Sequence, residues 1–292
     1  MLKKRGVRVE PIATHGPGTA SELARQSIEH GADLILAAGG DGTINEVVNG
    51  MVHSNIPLGI LPAGTANVLA NELGIAATMD GAAATLGDCV QERVALGLLT
   101  TAKAGMSRYF LLMAGAGLDA EIVFHIDPRV KNALGKGAYW IGGFRKLGSR
   151  LTELTVQAEG HQYQASFALA SRVRNYGGDL EIAPTVSLLD DEFELVLFEG
   201  ASSFTFLKYM LGVVVGWHPR MRGVTILRTR KISFDAPDDS KIHLQIDGEY
   251  IGLAPATAEI VPNALTLLVP PQFRHRRPAS VPETAWTTSP TR

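Results

Sequence analysis

The chain of 292 residues contains one cysteine, Cys89, so it can form no internal disulfide and offers no multi-cysteine zinc site. That scarcity fits a reducing compartment, with Cys89 a small, partly buried thiol. Excess charge of either sign is also lacking: 27 Lys and Arg against 29 Asp and Glu leave a net charge of −2, which argues against a nucleic-acid surface. No apolar run reaches the ~20 residues that span a bilayer. The longest, "FTFLKYMLGVVVGW" from Phe204 to Trp217, is interrupted by Lys208 and reads as a core helix, or as one that lies on a membrane or lines an apolar pocket. Basic residues in "MLKKRGVRVE" have no apolar stretch behind them, so the segment does not read as a secretory signal and a cytoplasmic protein is expected. The G-x-x-x-x-G-K-[ST] loop and the protein-kinase loops are missing as well.

What is present is an ordinary globular composition, 46% hydrophobic and 19% charged, in a chain long enough for two domains. Its first part alternates strand-like and helix-like patterns, as in a parallel sheet covered by helices. "GVRVEPI" reads as a strand and "TASELARQSIEHG" as a helix stopped by Gly31. "DLILAA" is a doubly buried strand, followed by a helix carrying Ile44, Val47, Val48 and Met51. "IPLGILPAG" and "TANVLANELGI" repeat the unit. From Val94 onward short strands and turns dominate, which predicts a β-sandwich-like second domain with helices inserted at 204–217 and near 135–147. We therefore expect an open α/β domain over 1–88, a β-rich domain over 89–272 and, over 273–292, a disordered tail rich in Pro, Ser, Thr and Arg. That tail's basic cluster reads as solvated rather than lipid-bound.

Gly39, Gly40 and Gly42 lie between an apolar strand and a helix, at the carboxyl end of a parallel strand where α/β proteins bind ligands. Backbone N–H groups and a helix N-terminus there suit a phosphate. Asp41 does not: two like charges ~4 Å apart repel by about 1 kcal/mol even in water. The acid calls for a cation between itself and the phosphate, and hydrated Mg²⁺ is the natural bridge to a nucleotide. The structural alternative is a tight turn with Thr43 and Glu46 as a capping box.

Pro62, Gly64, Thr65 and Asn67 form a second glycine loop after the next strand, placed on the same rim, or a plain turn in which Thr65 caps a helix. "IHLQIDGEYIGLA" carries a hairpin signal at Asp247-Gly248, with Glu249 or Asp247 as a candidate general base toward a hydroxyl. In "APTVSLLDDEFELVLF", Asp190 and Asp191 form either a solvated turn or part of an oxygen-ligand cation site. "GAGLDA" matches G-x-G-x-x-A, but neither a following helix nor an acid twenty residues on is expected, so it is not read as a dinucleotide fingerprint.

Taken together, "GGDGTINEVVNG", "PLGILPAGTANVLA", "AGAGLDAE", "APTVSLLDDEFEL" and "IDGEYIG" resemble, in their order, the diacylglycerol kinase catalytic family, which includes bacterial lipid kinases and the sphingosine and ceramide kinases. The resemblance extends over roughly residues 7 to 271. It implies an ATP-dependent transfer of phosphate to a lipid hydroxyl at a membrane surface, with ATP between an α/β and a β-rich domain. By resemblance, Thr14, Gly39, Gly40, Asp41, Gly42, Thr43, Asn45, Glu46, Gly64, Thr65 and Asn67 line the nucleotide. Glu249 matches the proton acceptor, with Asp247 beside it and Asp41 near the phosphates. Asp190 matches a structural Mg²⁺ ligand, helped by main-chain oxygens of Ser187 and Glu192, while a separate Mg²⁺ accompanies ATP. "GWH" ending at His218 is similar to a further family stretch, and His218 is expected to be structural.

Several positions depart from the family pattern. Val68 follows Asn67 where bacterial members have an acid, Thr19 stands where some carry another Asp, and Asp191 occupies a usual Gly position. These leave diacylglycerol, sphingoid bases and related lipids open as acceptors. The family's first strand and its Asn-Pro-x-(Ser/Ala)-Gly loop have no counterpart, from which a late or truncated start is expected. The alternatives are an NAD kinase-like enzyme, against which "PAGTAN" and "DGE" argue, and a nucleotide-binding protein impaired in catalysis. The sequence specifies no oligomer, leaving a homodimer open.

Overall fold

A computed structural model describes residues 6–102, 105–125, 148, 150–177, 180–237 and 240–274. The first layer is built from α1 (Ala20–Glu29), β1 (Ile35–Gly39), α2 (Asp41–Met51), β2 (Leu58–Pro62), α3 (Val68–Leu73) and α4 (Met79–Thr85). β1 and β2 are parallel, with Gly39 opposite Pro62, so both glycine loops leave the sheet at the same end. Ile44, Val47, Val48 and Met51 are all buried, as the helical spacing predicts.

Beyond α4 the chain becomes mostly antiparallel, and the fold is an α/β layer joined to a β-sandwich-like unit. β3 (Val90–Thr101), β4 (Ser107–Phe110), β6 (Leu154–Ala158), β7 (His161–Ala165), β13 (Lys231–Asp235) and β16 (Ala256–Val269) join β1 and β2 in one mixed sheet of eight strands. The long β16 runs antiparallel to β3 and β13 and meets β2 in parallel at Leu267 and Leu58, fastening the end of the sandwich to the α/β layer. A second sheet has the order β12-β11-β8-β5-β14-β15. Its members are β5 (Met113–Gly117), β8 (Phe167–Ser171), β11 (Phe193–Phe198), β12 (Val224–Thr229), β14 (His243–Ile246) and β15 (Glu249–Leu253). The short hairpin of β9 (Asn175–Tyr176) and β10 (Leu180–Glu181) stands apart. One apolar core, including Leu99, Phe110, Phe193, Leu195, Phe234 and Ile246, fills the space between the large sheets. The other runs from α1, α2 and α3 to the outer face of the second sheet, where α6 (Ser203–Val214) packs.

Four local expectations change. "GVRVEPI" forms no strand: Val7 and Ile12 are exposed and no ladder reaches them, because a strand pattern without a partner leaves its backbone groups to water, and Pro11 lacks a donor. "GAGLDA" is followed by a helix after all, α5 (Leu118–His125). The first residues of the tail expected over 273–292 close a short helix, α7 (Pro271–Arg274), buried at Phe273. Thr43 and Glu46 make no capping box, since α2 already begins at Asp41 with Gly40 as its cap. The helix expected near 135–147 and the tail from 275 lie outside the described residues.

Candidate active site

Gly40, in extended conformation, turns the chain from β1 into α2, whose first intrahelical bond runs from the Ile44 N–H to the Gly40 carbonyl (3.0 Å). The first-turn N–H groups of α2 therefore point out of the helix end, the arrangement that receives anions. Side by side with it, the second loop begins with the Ala63 N–H donating to Gly39 O (3.0 Å). The two loops touch backbone to backbone: a Cβ on Gly64 would lie 2.5 Å from the Gly40 Cα. Asn67, at φ 46°, closes the second loop on itself by accepting the Gly64 N–H (2.8 Å) and donating to the Gly64 carbonyl (2.9 Å). Thr43 lies against Gly39, while Thr14 and Thr65 are exposed.

The acids in the first loop face backbone donors. Asp41 accepts the N–H groups of Val68 (3.0 Å) and Leu69 (3.2 Å), capping α3 from a neighbouring loop. Its charge thus has a partner that the sequence alone did not reveal. Glu46 does the same for α1, accepting from Gly18 (2.7 Å) and Ala20 (3.1 Å).

The third feature is brought to this rim by the β14–β15 hairpin. Ile246 pairs with Glu249, and Asp247 (φ 48°) and Gly248 (φ 81°) form the two-residue turn that their sequence predicts. The two acids of this hairpin have opposite surroundings. Asp247 points inward and accepts four hydrogen bonds, from the N–H groups of Leu111, Leu112 and Met113 (each 2.9 Å) and from Asn45 Nδ2 (2.7 Å). Burial pushes its carboxyl up from the usual range, and these donors pull it partly back. With its lone pairs so occupied, Asp247 ties the hairpin to α2 and to the β4–β5 corner.

Glu249 stays partly exposed. Its Oε2 pairs with Arg108 Nη2 (2.7 Å), which also donates to Asn45 Oδ1 (2.9 Å). Its Oε1 lies against the first turn of α2: a Cβ on Gly42 would come within 2.5 Å of it. Glycine at 42 is therefore what lets a carboxylate from the far end of the chain approach the phosphate-type loop. The structure brings Gly42, Asn45, Asp247 and Glu249 into one cluster, while Asp41, next to Gly42, caps α3; the structure also adds Arg108, which sequence reasoning missed. The only signal had been a lone cation at the start of an otherwise apolar strand.

The chain is similar to known proteins over most of its length. Residues 1–99 match the model of the diacylglycerol kinase catalytic domain, and residues 113–269 match that of the YegS C-terminal NAD kinase beta sandwich-like domain. The chain is 31% identical to a diacylglycerol kinase of Bacillus subtilis (strain 168) over 260 residues, 87% of this chain and 83% of the relative. It belongs to the diacylglycerol kinase family. A second relative, the diacylglycerol kinase of Staphylococcus haemolyticus (strain JCSC1435), is 29% identical over 87% of this chain and 76% of its own. The fold is also that of a solved diacylglycerol kinase structure from Bacillus anthracis str. Sterne, with a TM-score of 0.71 at 21% identity over 89% of this chain and 85% of the other. Membership makes the chain a kinase of a lipid kinase family, and the family implies ATP as its phosphate donor.

Arginines crowd the acidic turn over residues 187–192, which the sequence offered as a cation site. Asp190 Oδ2 accepts the Ser187 N–H (2.9 Å) and pairs closely with Arg228, whose Nε lies 3.4 Å from Glu192 Oε2. Arg230 lies 3.7 Å from Glu192 Oε1. From the other side the buried Arg172 donates to the carbonyls of Leu188 (2.8 Å), Asp190 (3.1 Å) and Ala95. Burial draws its guanidinium down to about 10, against the pull of Asp191, Asp190 and Asp247, so it remains charged at neutral pH. The Ser187 carbonyl already accepts the Asp190 N–H (2.9 Å). With Arg228 on Asp190 Oδ2, an ion there would have to displace the guanidinium; Glu192 meets Arg228 and Arg230 through its side chain, so those pairs do not bear on its main-chain oxygen.

The "GAGLDA" motif has a different use from phosphate binding. Gly115 leaves room for the buried Asp119, whose Oδ2 would lie 1.7 Å from a Cβ there. Asp119 accepts from Tyr176 Oη and from Gln245 Nε2 (2.8 Å), and Gln245 Oε1 accepts the Gly248 N–H (2.8 Å). The hairpin turn that carries Glu249 is thus supported from behind. Burial raises the Asp119 carboxyl to about 6 despite both donors. His218 is buried, with Nε2 bonded to the Ile182 carbonyl (2.9 Å), in the structural role expected of it.

Proposed function

We propose that this protein transfers the γ-phosphate of ATP to a free hydroxyl of a membrane-derived lipid, with Glu249 accepting the hydroxyl proton as the new O–P bond forms. The observation that carries the reading is the approach of Glu249 Oε1 to Gly42, at the mouth of the α2 helix end, while Oε2 is fixed by Arg108. Phosphoryl transfer asks for positioning and charge neutralisation more than for covalent catalysis, so a rim of N–H groups and one placed carboxylate suffice in kind. Gly39, Gly40, Gly42, Thr43, Gly64 and Thr65 would line the phosphates, with Thr14 at the approach. Asp41, Glu46 and Asn67 shape that lining by capping α3, capping α1 and closing the second loop. Asn45 and Asp247 hold Arg108 and the hairpin in register, so both are positioning residues.

Among the described residues no three or more His, Cys, Asp or Glu side chains gather as a metal cluster, so the catalytic Mg²⁺ is best read as arriving with the nucleotide phosphates. Bound that way it would neutralise phosphate charge. Diacylglycerol is the first acceptor to try, because the named relatives are diacylglycerol kinases. The test is incubation with labelled ATP, Mg²⁺ and a panel of diacylglycerol, sphingosine and ceramide in mixed micelles, with NAD as control. Label in a lipid is expected. Label confined to NAD, or found in no acceptor, overturns the proposal.

A further inference from the structure

The apolar segment noted in the sequence forms α6 and the turn after it, and its two faces differ. Inward, Phe206 packs on Phe167 and Phe198 (ring centroids 5.8 and 6.1 Å), while Tyr209, Met210 and Val213 are buried. Outward, Phe204, Leu211, Val214, Val215 and Trp217 are exposed, Val215 and Trp217 by 71% and 62%. Residues 204, 208, 211 and 215 follow helical spacing, so the exposed residues form one stripe that includes Lys208.

Trp217 is not on a loose end. Its N–H donates to the Gly212 carbonyl (2.7 Å), its neighbour His218 is buried and bonded to Ile182, and Met221 packs back onto Gly212. A large indole is thus presented to solvent from a fixed backbone. Charge sorts in the same place. No Asp or Glu occurs from Ala201 to Phe234, whereas Lys208, Arg220 and Arg222 are exposed beside the stripe, in a chain of net charge −2.

We infer that the outer face of α6, with Trp217 and the flanking Lys208, Arg220 and Arg222, docks this protein onto an anionic lipid bilayer. Apolar side chains reaching the acyl boundary, an aromatic ring at its level and cations toward the headgroups are the parts of an interfacial anchor. The face also connects to the chemistry: Phe206 packs on Leu118 and Ile122 of α5, and Phe124 of α5 meets Tyr250, the neighbour of Glu249 (4.7 Å between centroids). The inference rests on the lipid kinase reading for its biological sense, but its measurement does not.

The test uses the full chain with Trp140→Phe and Trp286→Phe, so that Trp217 alone reports. It is mixed with phosphatidylcholine vesicles with or without phosphatidylglycerol. Trp217 emission should be that of a hydrated indole in buffer and shift to the blue on the anionic vesicles, with partition falling as salt rises. In the unmodified chain, Leu211→Ser with Val215→Ser should lower partition roughly tenfold or more. Lys208→Gln, Arg220→Gln and Arg222→Gln should each lower it roughly fivefold. Turnover of a short-chain acceptor presented without vesicles should not change. Unaltered partition in these variants overturns the inference, as does Trp217 emission already blue-shifted in buffer, which would place a second copy or another part of this chain on the face. Partition as expected with no lipid labelled would instead sink the kinase reading and leave the docking face intact.

Discussion

At the rim where Glu249 meets Gly42, one guanidinium serves one carboxylate, and a second oxygen is left facing the helix end. At the turn over residues 187–192, Arg228 serves both Asp190 and Glu192 while Arg172 takes two carbonyls of the same turn. Both regions put acids beside arginine, and both read from the sequence as places where acids handle a cation or a proton. The difference lies in how heavily the acids are paired and in what they face. Where the chain's own donors hold the acids, they build structure: Asp190 Oδ2 takes the Ser187 N–H and Arg228, and Asp247 with its four donors carries this furthest despite standing two residues from Glu249. Where one oxygen remains turned toward the phosphate-type loop, chemistry has room.

Asp247→Ala probes the filled class most severely. It strips the acceptor from three main-chain N–H groups and the Asn45 amide. A loss of about 3–5 kcal/mol is expected in urea unfolding. A variant as stable as the parent would show that these groups find other partners.

Asp119 keeps two hydrogen bonds, from Tyr176 and Gln245, and so gauges what burial does to an acid against such donors. Its folded value of about 6 lies above its ordinary 3.8, so its contribution to stability is fully present below pH 3.8 and lost as pH rises through 6. The swing is roughly 3 kcal/mol. Subtracting the stability profile of Asp119→Asn from that of the parent should recover a fall over this window. A flat difference would remove the burial argument.

Gly42→Ala addresses the open region. The new Cβ would lie 2.5 Å from Glu249 Oε1 and push the carboxylate away. Alanine is the better helix former by about 1 kcal/mol, so thermal stability should hold or rise while turnover drops roughly 10- to 100-fold. Equal turnover would mean that Glu249 has room to move, and would weaken the contrast between the two regions.

The smallest effect concerns the acidic turn. Arg228→Gln should cost about 1 kcal/mol, since the pairs are partly exposed. We further expect a chelator to leave the melting temperature of the parent unchanged. A drop on chelation, restored by Mg²⁺, would show that an ion displaces Arg228 and that the two regions are less different than they look.

Much of this was legible in the residues. Apolar runs ending in glycine loops placed two phosphate-type turns on adjacent parallel strands, and Asp247-Gly248 announced its hairpin. The job of Asp41 was not legible, because its partners are the N–H groups of Val68 and Leu69 in another loop, and capping at a distance leaves no local pattern. Nor was α5, in which Leu118, Ala120, Ile122, Val123 and Phe124 are apolar on several sides and show no stripe. "GVRVEPI" erred the other way, since alternation describes a strand's faces but not whether a neighbour exists to pair with it. Arg108 escaped notice because a single cation has meaning only once the strand around it is folded against Asn45 and Glu249.

The account turns on Glu249. The most direct measurement is the turnover of ATP with diacylglycerol in mixed micelles by Glu249→Gln beside the parent, with melting curves of both. Turnover lower by roughly 10²–10⁴-fold at an unchanged melting temperature is the predicted result. Parent-like turnover in the variant would contradict the assignment of Glu249 as proton acceptor.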